Sequence, residues 1–216
     1  MARNRNQVLA EIEATGLVAV IRADSGAQLV DICQALLAGG VTACEITMTT
    51  PNAIEAIGRA SAELGDQAII GVGTALDAET ARAAILAGAQ FVVSPSLDLA
   101  TIAMAHRYDK PVMPGALTPT EIVTAWTAGA DIVKVFPANH FGPTYFKDLK
   151  GPLPHIRLTP TGGVDLTTAA DWIKAGAACL GVGSALVKKE FIKNKDWTAL
   201  TGLARQYVDI VRAARG

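Results

Sequence analysis

Eight short apolar runs, spaced along the whole chain, constrain its fold more than any other feature. The first half carries L-V-A-V-I-R, A-C-E-I-T-M-T, A-I-I-G-V-G-T and F-V-V-S-P-S; the second carries P-V-M-P-G-A, D-I-V-K-V-F-P, R-L-T-P-T-G-G and C-L-G-V-G-S. Their apolar stretches are nearly continuous instead of alternating with polar residues, as expected of parallel strands buried on both faces. Between them, apolar residues recur at helical spacing: Leu29, Ile32, Cys33 and Leu36, then Ile54, Ile57 and Leu64, then Ile122 and Trp126. Four of these segments end in small residues and glycine just before the next run, in L-L-A-G-G-V, I-L-A-G-A-Q-F, W-T-A-G-A-D-I and I-K-A-G-A-A-C-L, which predicts left-handed helix termini.

Parallel strands joined through helices require right-handed crossovers, and eight such units predict an α/β protein with a parallel eight-stranded (β/α)8 TIM barrel. The competing doubly wound sheet usually places a glycine-rich dinucleotide turn after its first strand, and V-I-R-A-D-S-G offers none. Residues 4–16 predict an extra N-terminal helix, and Trp197 to Arg215 a closing amphipathic helix with Leu200, Leu203, Tyr207 and Ile210 on one side. No linker interrupts the pattern, so residues 1–216 are expected to form one domain.

Half of the residues are hydrophobic, enough for a substantial core, and the net charge is -1. Without a recurrent basic face, a nucleic-acid partner has no electrostatic support. The first residues lack an apolar signal core and no segment is long enough to cross a bilayer, so no membrane association and a cytoplasmic location are expected. Cys33, Cys44 and Cys179 are odd in number, lack C-x-x-C spacing and lie in apolar surroundings that suit buried thiols in a reducing compartment. His106, His140 and His155 lack ligand-like spacing, so no metal is expected.

Lys134 lies inside D-I-V-K-V-F-P, with no charge beside it in sequence to relieve its burial. A desolvated ammonium gives up its proton readily, and the neutral amine can attack a carbonyl, which points to Schiff-base chemistry. The competing reading is an edge-strand lysine that snorkels to solvent. Glu45 lies within the apolar C-E-I-T-M, where burial is expected to raise its pKa and suit it to proton transfer near neutrality. Its own alternative is a structural ion pair with Arg22.

In a barrel, groups that end the strands converge on one mouth. Those groups are Arg22, Thr47 and Thr49, Gly73-Thr74, Ser94-Pro95, the turn Pro160-Thr161-Gly162-Gly163, and Gly181-Val182-Gly183-Ser184. Glycines after the seventh and eighth strands let backbone N–H groups approach an anion, and Ser184 adds a hydroxyl.

These segments together resemble the class I aldolases of the 2-keto-3-deoxy-6-phosphogluconate (KDPG) and 4-hydroxy-2-oxoglutarate (KHG) family. The resemblance covers nearly the whole chain and is carried by V-A-V-I-R, C-E-I-T-M-T-T-P, G-V-G-T, V-S-P-S, M-P-G-A-L-T-P-T-E, V-K-V-F-P-A, F-G-P-T-Y-F-K-D-L-K-G-P, T-P-T-G-G-V and G-V-G-S-A-L-V, in that order. It implies that Lys134 forms the imine and Glu45 is the general acid/base. Substrate contacts are expected from Arg22, Thr49, Thr74, Pro95, Phe136 and Thr161, and phosphate contacts from Gly162, Gly163, Gly183 and Ser184. Some members carry an arginine for the substrate carboxylate where this chain has Thr49, which shifts that task to Arg22 and Thr74. Thr161 resembles the gluconate-type enzymes.

The implied reaction splits 2-dehydro-3-deoxy-6-phosphogluconate into pyruvate and glyceraldehyde 3-phosphate, with 4-hydroxy-2-oxoglutarate as a further substrate. It implies no cofactor, keto-acid and phosphosugar substrates, and a homotrimer. A phosphogalactonate aldolase, a phosphosugar isomerase or epimerase, and a non-catalytic binding barrel are the alternatives.

Overall fold

The computed structural model describes residues 3–216. Helix α1 (Arg5–Thr15) opens the fold, held by a reciprocal capping box between Asn4 and Gln7 and closed by left-handed Gly16. Strands β1 (Leu17–Ile21), β2 (Ala43–Thr47), β3 (Ile69–Gly73) and β4 (Phe91–Val93) then alternate with α2 (Leu29–Ala38), α3 (Ala53–Leu64), α4 (Ala78–Ala87) and α5 (Leu99–Arg107). The second half contributes β5 (Val112–Met113), β6 (Gly115–Ala116), β7 (Val133–Val135), β8 (Leu158–Pro160) and β9 (Leu180–Val182). Its helices are α6 (Pro119–Thr127), α7 (Gly142–Lys150), α8 (Ala169–Lys174), α9 (Lys189–Asn194) and α10 (Trp197–Arg215). Each helix-ending signal contains a glycine at positive φ: Gly40, Gly88, Gly129 and Gly176.

All pairings between strands are parallel. A curled six-stranded sheet runs β5-β4-β3-β2-β1-β9, and a three-stranded sheet runs β6-β7-β8. The eight apolar runs therefore appear as nine strands in two sheets, a departure from the expected eight. Pro114 is the reason: lacking an N–H, it splits the fifth run into β5 and β6. Its carbonyl still accepts from Lys134 N–H at 2.9 Å. On the other side, parallel bridges Leu158 to Ala177 and Thr161 to Gly181 link β8 to the segment around β9.

The strands are buried on both faces, as their unbroken apolarity predicts. One set of side chains, including Leu17, Ala19 and Ile21 of β1, packs outward against the helices. The alternate set, including Val18, Ala43, Ile69, Phe91 and Met113, packs inward and is covered at the strands' N-terminal ends by Val8, Leu9 and Ile12 of α1. A partly buried ion pair ties this cover down. Arg5 Nε donates to Asp131 Oδ1 at 2.8 Å, while Asp131 Oδ2 accepts from Val112 N–H at 2.8 Å. The N-terminal ends are thereby plugged, which leaves the C-terminal ends for chemistry.

Cys33, Cys44 and Cys179 are free and buried. No helix among the described residues is long and apolar enough to cross a membrane, and none of their His, Cys, Asp and Glu side chains form a metal-capable group of three.

Candidate active site

Lys134 is the middle residue of β7, itself the middle strand of its sheet, and is 6% exposed. That burial and central position rule out the snorkelling edge-strand lysine. Its neighbours in register are Gly115 on β6 and Thr159 on β8, and its Nζ lies 5.2 Å from the centroid of the Phe136 ring. Glu45, in the middle of β2, is 3% exposed. It aligns with Val20 on β1 and Gly71 on β3, and its side chain lies over Gly73 so closely that a Cβ there would overlap the carboxylate.

Burial pushes the Glu45 carboxyl above the usual carboxylate range, against the opposing pull of the Lys134 and Arg22 charges. The charge that Lys134 lacks in sequence thus reaches it through space, from a carboxylate 89 positions earlier. Arg22 influences Glu45 at a distance, so the alternative of a structural Arg22–Glu45 salt bridge is not realised: the pair is absent from the ion pairs of the described residues. The thiols do not compete as nucleophiles. Burial pushes Cys179 up to about 11, and a hydrogen bond with Cys44, together with burial, raises Cys33 well above its ordinary value.

A cavity of about 280 Å³ opens at the strands' C-terminal ends. Arg22, Phe136 and Thr161 line it together with both glycine turns, Gly162-Gly163 and Gly183-Ser184. Gly162 and Gly163 have φ of 91° and 72°, and a side chain on Gly163 would meet Asn139 Cβ at 2.6 Å. The Gly162-Gly163 turn therefore needs glycine, whereas at Gly183 a Cβ would find only Val20 Cβ, at 4.0 Å; both turns leave backbone close to the cavity. A second hollow of about 280 Å³ shares Arg22, Gly183 and Ser184 with the first and adds Thr49, Asp24 and Lys189. Thr49 hydroxyl lies 2.8 Å from that of Thr47.

Four expected site residues line neither space: Lys134 and Glu45, buried within their strands, and Thr74 and Pro95. Thr74 follows β3 in a left-handed conformation, φ 62°, which a β-branched residue adopts only under strain. Pro95 is half-buried after β4, its carbonyl packed against Gly115. Conversely, Asp165 and Lys189 line the cavities without having been singled out from sequence. Hydrogen bonds, first from the Thr167 hydroxyl, hold the Asp165 carboxyl below its ordinary range despite some burial. A charged residue in a polar loop, or exposed at the start of a short helix, carries no periodic signal that would have marked either.

A buried amine and a carboxylate of raised pKa, beneath a cavity with two glycine turns, suit carbonyl chemistry on an anionic substrate. Comparison with known proteins agrees. The family model for KDPG and KHG aldolase matches residues 8–203. The chain belongs to the KDPG and KHG aldolase family. The 2-dehydro-3-deoxy-phosphogluconate aldolase of Pseudomonas aeruginosa is 37% identical over 195 residues, covering 89% of this chain and 88% of that relative. The 2-dehydro-3-deoxy-6-phosphogalactonate aldolase of Escherichia coli is 37% identical over 173 residues, covering 80% and 84%. Among solved structures, the KDPG aldolase from Legionella pneumophila, with pyruvate captured at low pH as a covalent carbinolamine intermediate, has a TM-score of 0.86 at 29% identity, covering 92% of this chain and 97% of that one. Membership in the KDPG and KHG aldolase family makes this chain a carbon–carbon lyase.

Proposed function

We propose that the chain is a Schiff-base aldolase that splits 2-dehydro-3-deoxy-6-phosphogluconate into pyruvate and glyceraldehyde 3-phosphate, with Lys134 forming the imine and Glu45 moving the proton. The observation that carries this reading is the burial of Lys134 and Glu45 within electrostatic reach of each other, each in the middle of its strand. Lys134 Nζ adds to the C2 carbonyl, and loss of water gives a cationic imine. As the C3–C4 bond breaks, its electron pair flows into the imine, and Glu45, directly or through a water, takes the C4 hydroxyl proton. The aldehyde leaves, the enamine is protonated at C3, and the water lost earlier is returned on hydrolysis to free pyruvate.

The other assignments follow the same logic. Gly162, Gly163, Gly183 and Ser184 hold the phosphate, while Arg22, Thr49, Thr74, Pro95, Phe136 and Thr161 shape the sugar-acid site. The cationic imine formed on the lysine is the electron sink, so the chemistry calls for neither metal nor organic cofactor. The chain's passage through Pro114 and the parallel bridges near β9 support reading the two sheets as one closed (β/α)8 barrel in a single domain. Exposed Leu76, Leu86, Leu99 and Val123 suit self-association as a homotrimer. Three buried free thiols suit the cytoplasm.

The equal identity to a phosphogalactonate aldolase keeps the C4 epimer as a second substrate reading. The decisive experiment incubates the protein with pyruvate and borohydride and locates the adduct by peptide mass spectrometry. A reduced pyruvyl group on Lys134, absent from Lys134→Arg, is expected, followed by assays on both epimers and on 4-hydroxy-2-oxoglutarate. Turnover without any lysine adduct refutes the Schiff-base route.

A further inference from the structure

Phe136 follows β7 directly and stands two positions beyond Lys134. Strand side chains two apart share a face, so the ring and the amine are neighbours by construction. The backbone fixes both residues: Lys134 N–H donates to the Pro114 carbonyl at 2.9 Å, and Phe136 N–H to that of Ala116 at 3.2 Å. The half-buried ring lines the first cavity, and Lys134 Nζ lies over its face, 5.2 Å from the centroid. That distance lies within the range of a cation–π contact, in which the negative face of the ring attracts a positive charge.

Little else supports a cation there. No hydrogen bond or ion pair reaches Lys134 Nζ among the described residues. Gly115 and Thr159, its neighbours in register, bring no charge. Glu45 acts on it from β2, with Arg22 acting on the same carboxyl from the end of β1. Burial favours the neutral form of Glu45, and a group that moves protons changes its charge in every turnover. The attraction of the ring face does not titrate.

We propose that the face of Phe136 promotes imine formation, by stabilising the positive charge that appears on the Lys134 nitrogen as the carbinolamine loses water; this rests on the Schiff-base reading given above. In that step the nitrogen lone pair forms the C=N bond as the C2–O bond breaks, and the hydroxyl leaves as water with a proton from the Glu45 carboxyl. A neutral nitrogen becomes a cation over the ring. An attraction that is stronger after the step than before it draws the equilibrium toward the imine. For a desolvated contact the effect is about tenfold.

The test replaces Phe136 alone, by site-specific incorporation, with mono-, di- and trifluorinated phenylalanine. These keep the shape of the ring while progressively weakening the hold of its face on a cation. Carbon-13 NMR of the full chain with pyruvate labelled at C2 separates the tetrahedral carbinolamine carbon from the trigonal imine carbon. The ratio of imine to carbinolamine should fall stepwise, about tenfold across the series. An unchanged ratio, or one that does not follow the degree of fluorination, overturns the proposal.

Denaturant unfolding reads the contact without substrate. In mildly acidic buffer, where an amine ordinarily keeps its proton, trifluorination should raise the unfolding equilibrium constant about tenfold with Lys134 present and leave it unchanged in Lys134→Met. Equal effects in the two backgrounds overturn a direct contact. Coupling between ring and lysine in a wild-type chain that forms no pyruvate adduct instead overturns the Schiff-base reading and leaves the ring a partner of the resting ammonium alone.

Discussion

Gly73→Ala should disable the enzyme through a residue it does not replace. Gly73 closes β3 directly under the Glu45 side chain, and an added Cβ would stand 2.5 Å from Glu45 Cγ, with the carboxylate closer still. Gly73 is not among the residues with positive φ, so alanine adds no backbone strain and the whole effect falls on Glu45. Restoring ordinary carbon–carbon contact at roughly 3.5–4 Å requires a displacement of about 1 Å or more. A misplacement of that size costs on the order of 100-fold in turnover, equivalent to about 2.7 kcal/mol in the barrier. Overpacking should cost a further ~1–3 kcal/mol of stability. Steady-state cleavage measures the first, denaturant unfolding the second. Borohydride trapping of pyruvate on Lys134 should survive, because imine formation with pyruvate does not need the C4 proton acceptor. In the double variant Gly73→Ala with Glu45→Ala, the methyl occupies the space of the missing carboxylate and adds no loss to Glu45→Ala alone. Gly71→Ala is the steric control, since its Cβ would meet the Phe91 ring and leave the carboxylate in place. Wild-type turnover in Gly73→Ala, or strictly additive losses in the double variant, refutes the reasoning.

Glu45→Gln should abolish most turnover yet retain the pyruvate adduct, and it should raise Tm at neutral pH. The folded pKa of Glu45 lies above its ordinary 4.5, so its contribution to stability is full below that value and is lost as pH rises through the folded pKa. The Tm advantage of the glutamine variant should therefore close on acidification toward pH 4.5, and an advantage that persists or grows in acid contradicts the assigned shift. Asp131→Ala should cost about 2 kcal/mol in denaturant unfolding, chiefly by leaving the buried Val112 N–H unpaired; a loss under about 0.5 kcal/mol would mean that N–H finds another partner. Thr74→Gly should gain about 1 kcal/mol by relieving the left-handed backbone, while lowering kcat/KM. Gain without kinetic loss would remove Thr74 from the substrate site.

The strands and helix ends were legible because burial on two faces leaves unbroken apolar runs and because left-handed termini select glycine. Lys134 and Glu45 were legible for the opposite reason, since a charge inside such a run contradicts its surroundings. What sequence did not carry was relation across the sheet. Pro114 was visible, but whether it would split a strand depended on which N–H groups the ladder needed. The Arg5–Asp131 pair spans 126 positions and had no local sign. Lys189 and Asp165 sit in polar segments where charge is ordinary, so only their placement beside the glycine turns marks them.

Register also explains one glycine inside the strands. Gly73 lies under the Glu45 carboxylate, where a Cβ would overlap it. Gly181 lies against the Thr161 side chain in the same way. Gly71 and Gly115 align with Glu45 and Lys134, but a Cβ there would meet the Phe91 ring and the Pro95 carbonyl instead. An interior packed to crystal-like density cannot add a long polar side chain without removing volume beside it. At Glu45 the volume is removed by the hydrogen atom that stands in place of a Cβ at Gly73 on the adjacent strand. Glycine within a strand otherwise weakens it, through lost packing and greater unfolded-state freedom. The stability forgone at Gly73 is thus the structural counterpart of the buried carboxylate. It follows that Gly73 belongs to the active site as fully as the charged residues do, although it has no side chain to touch a substrate.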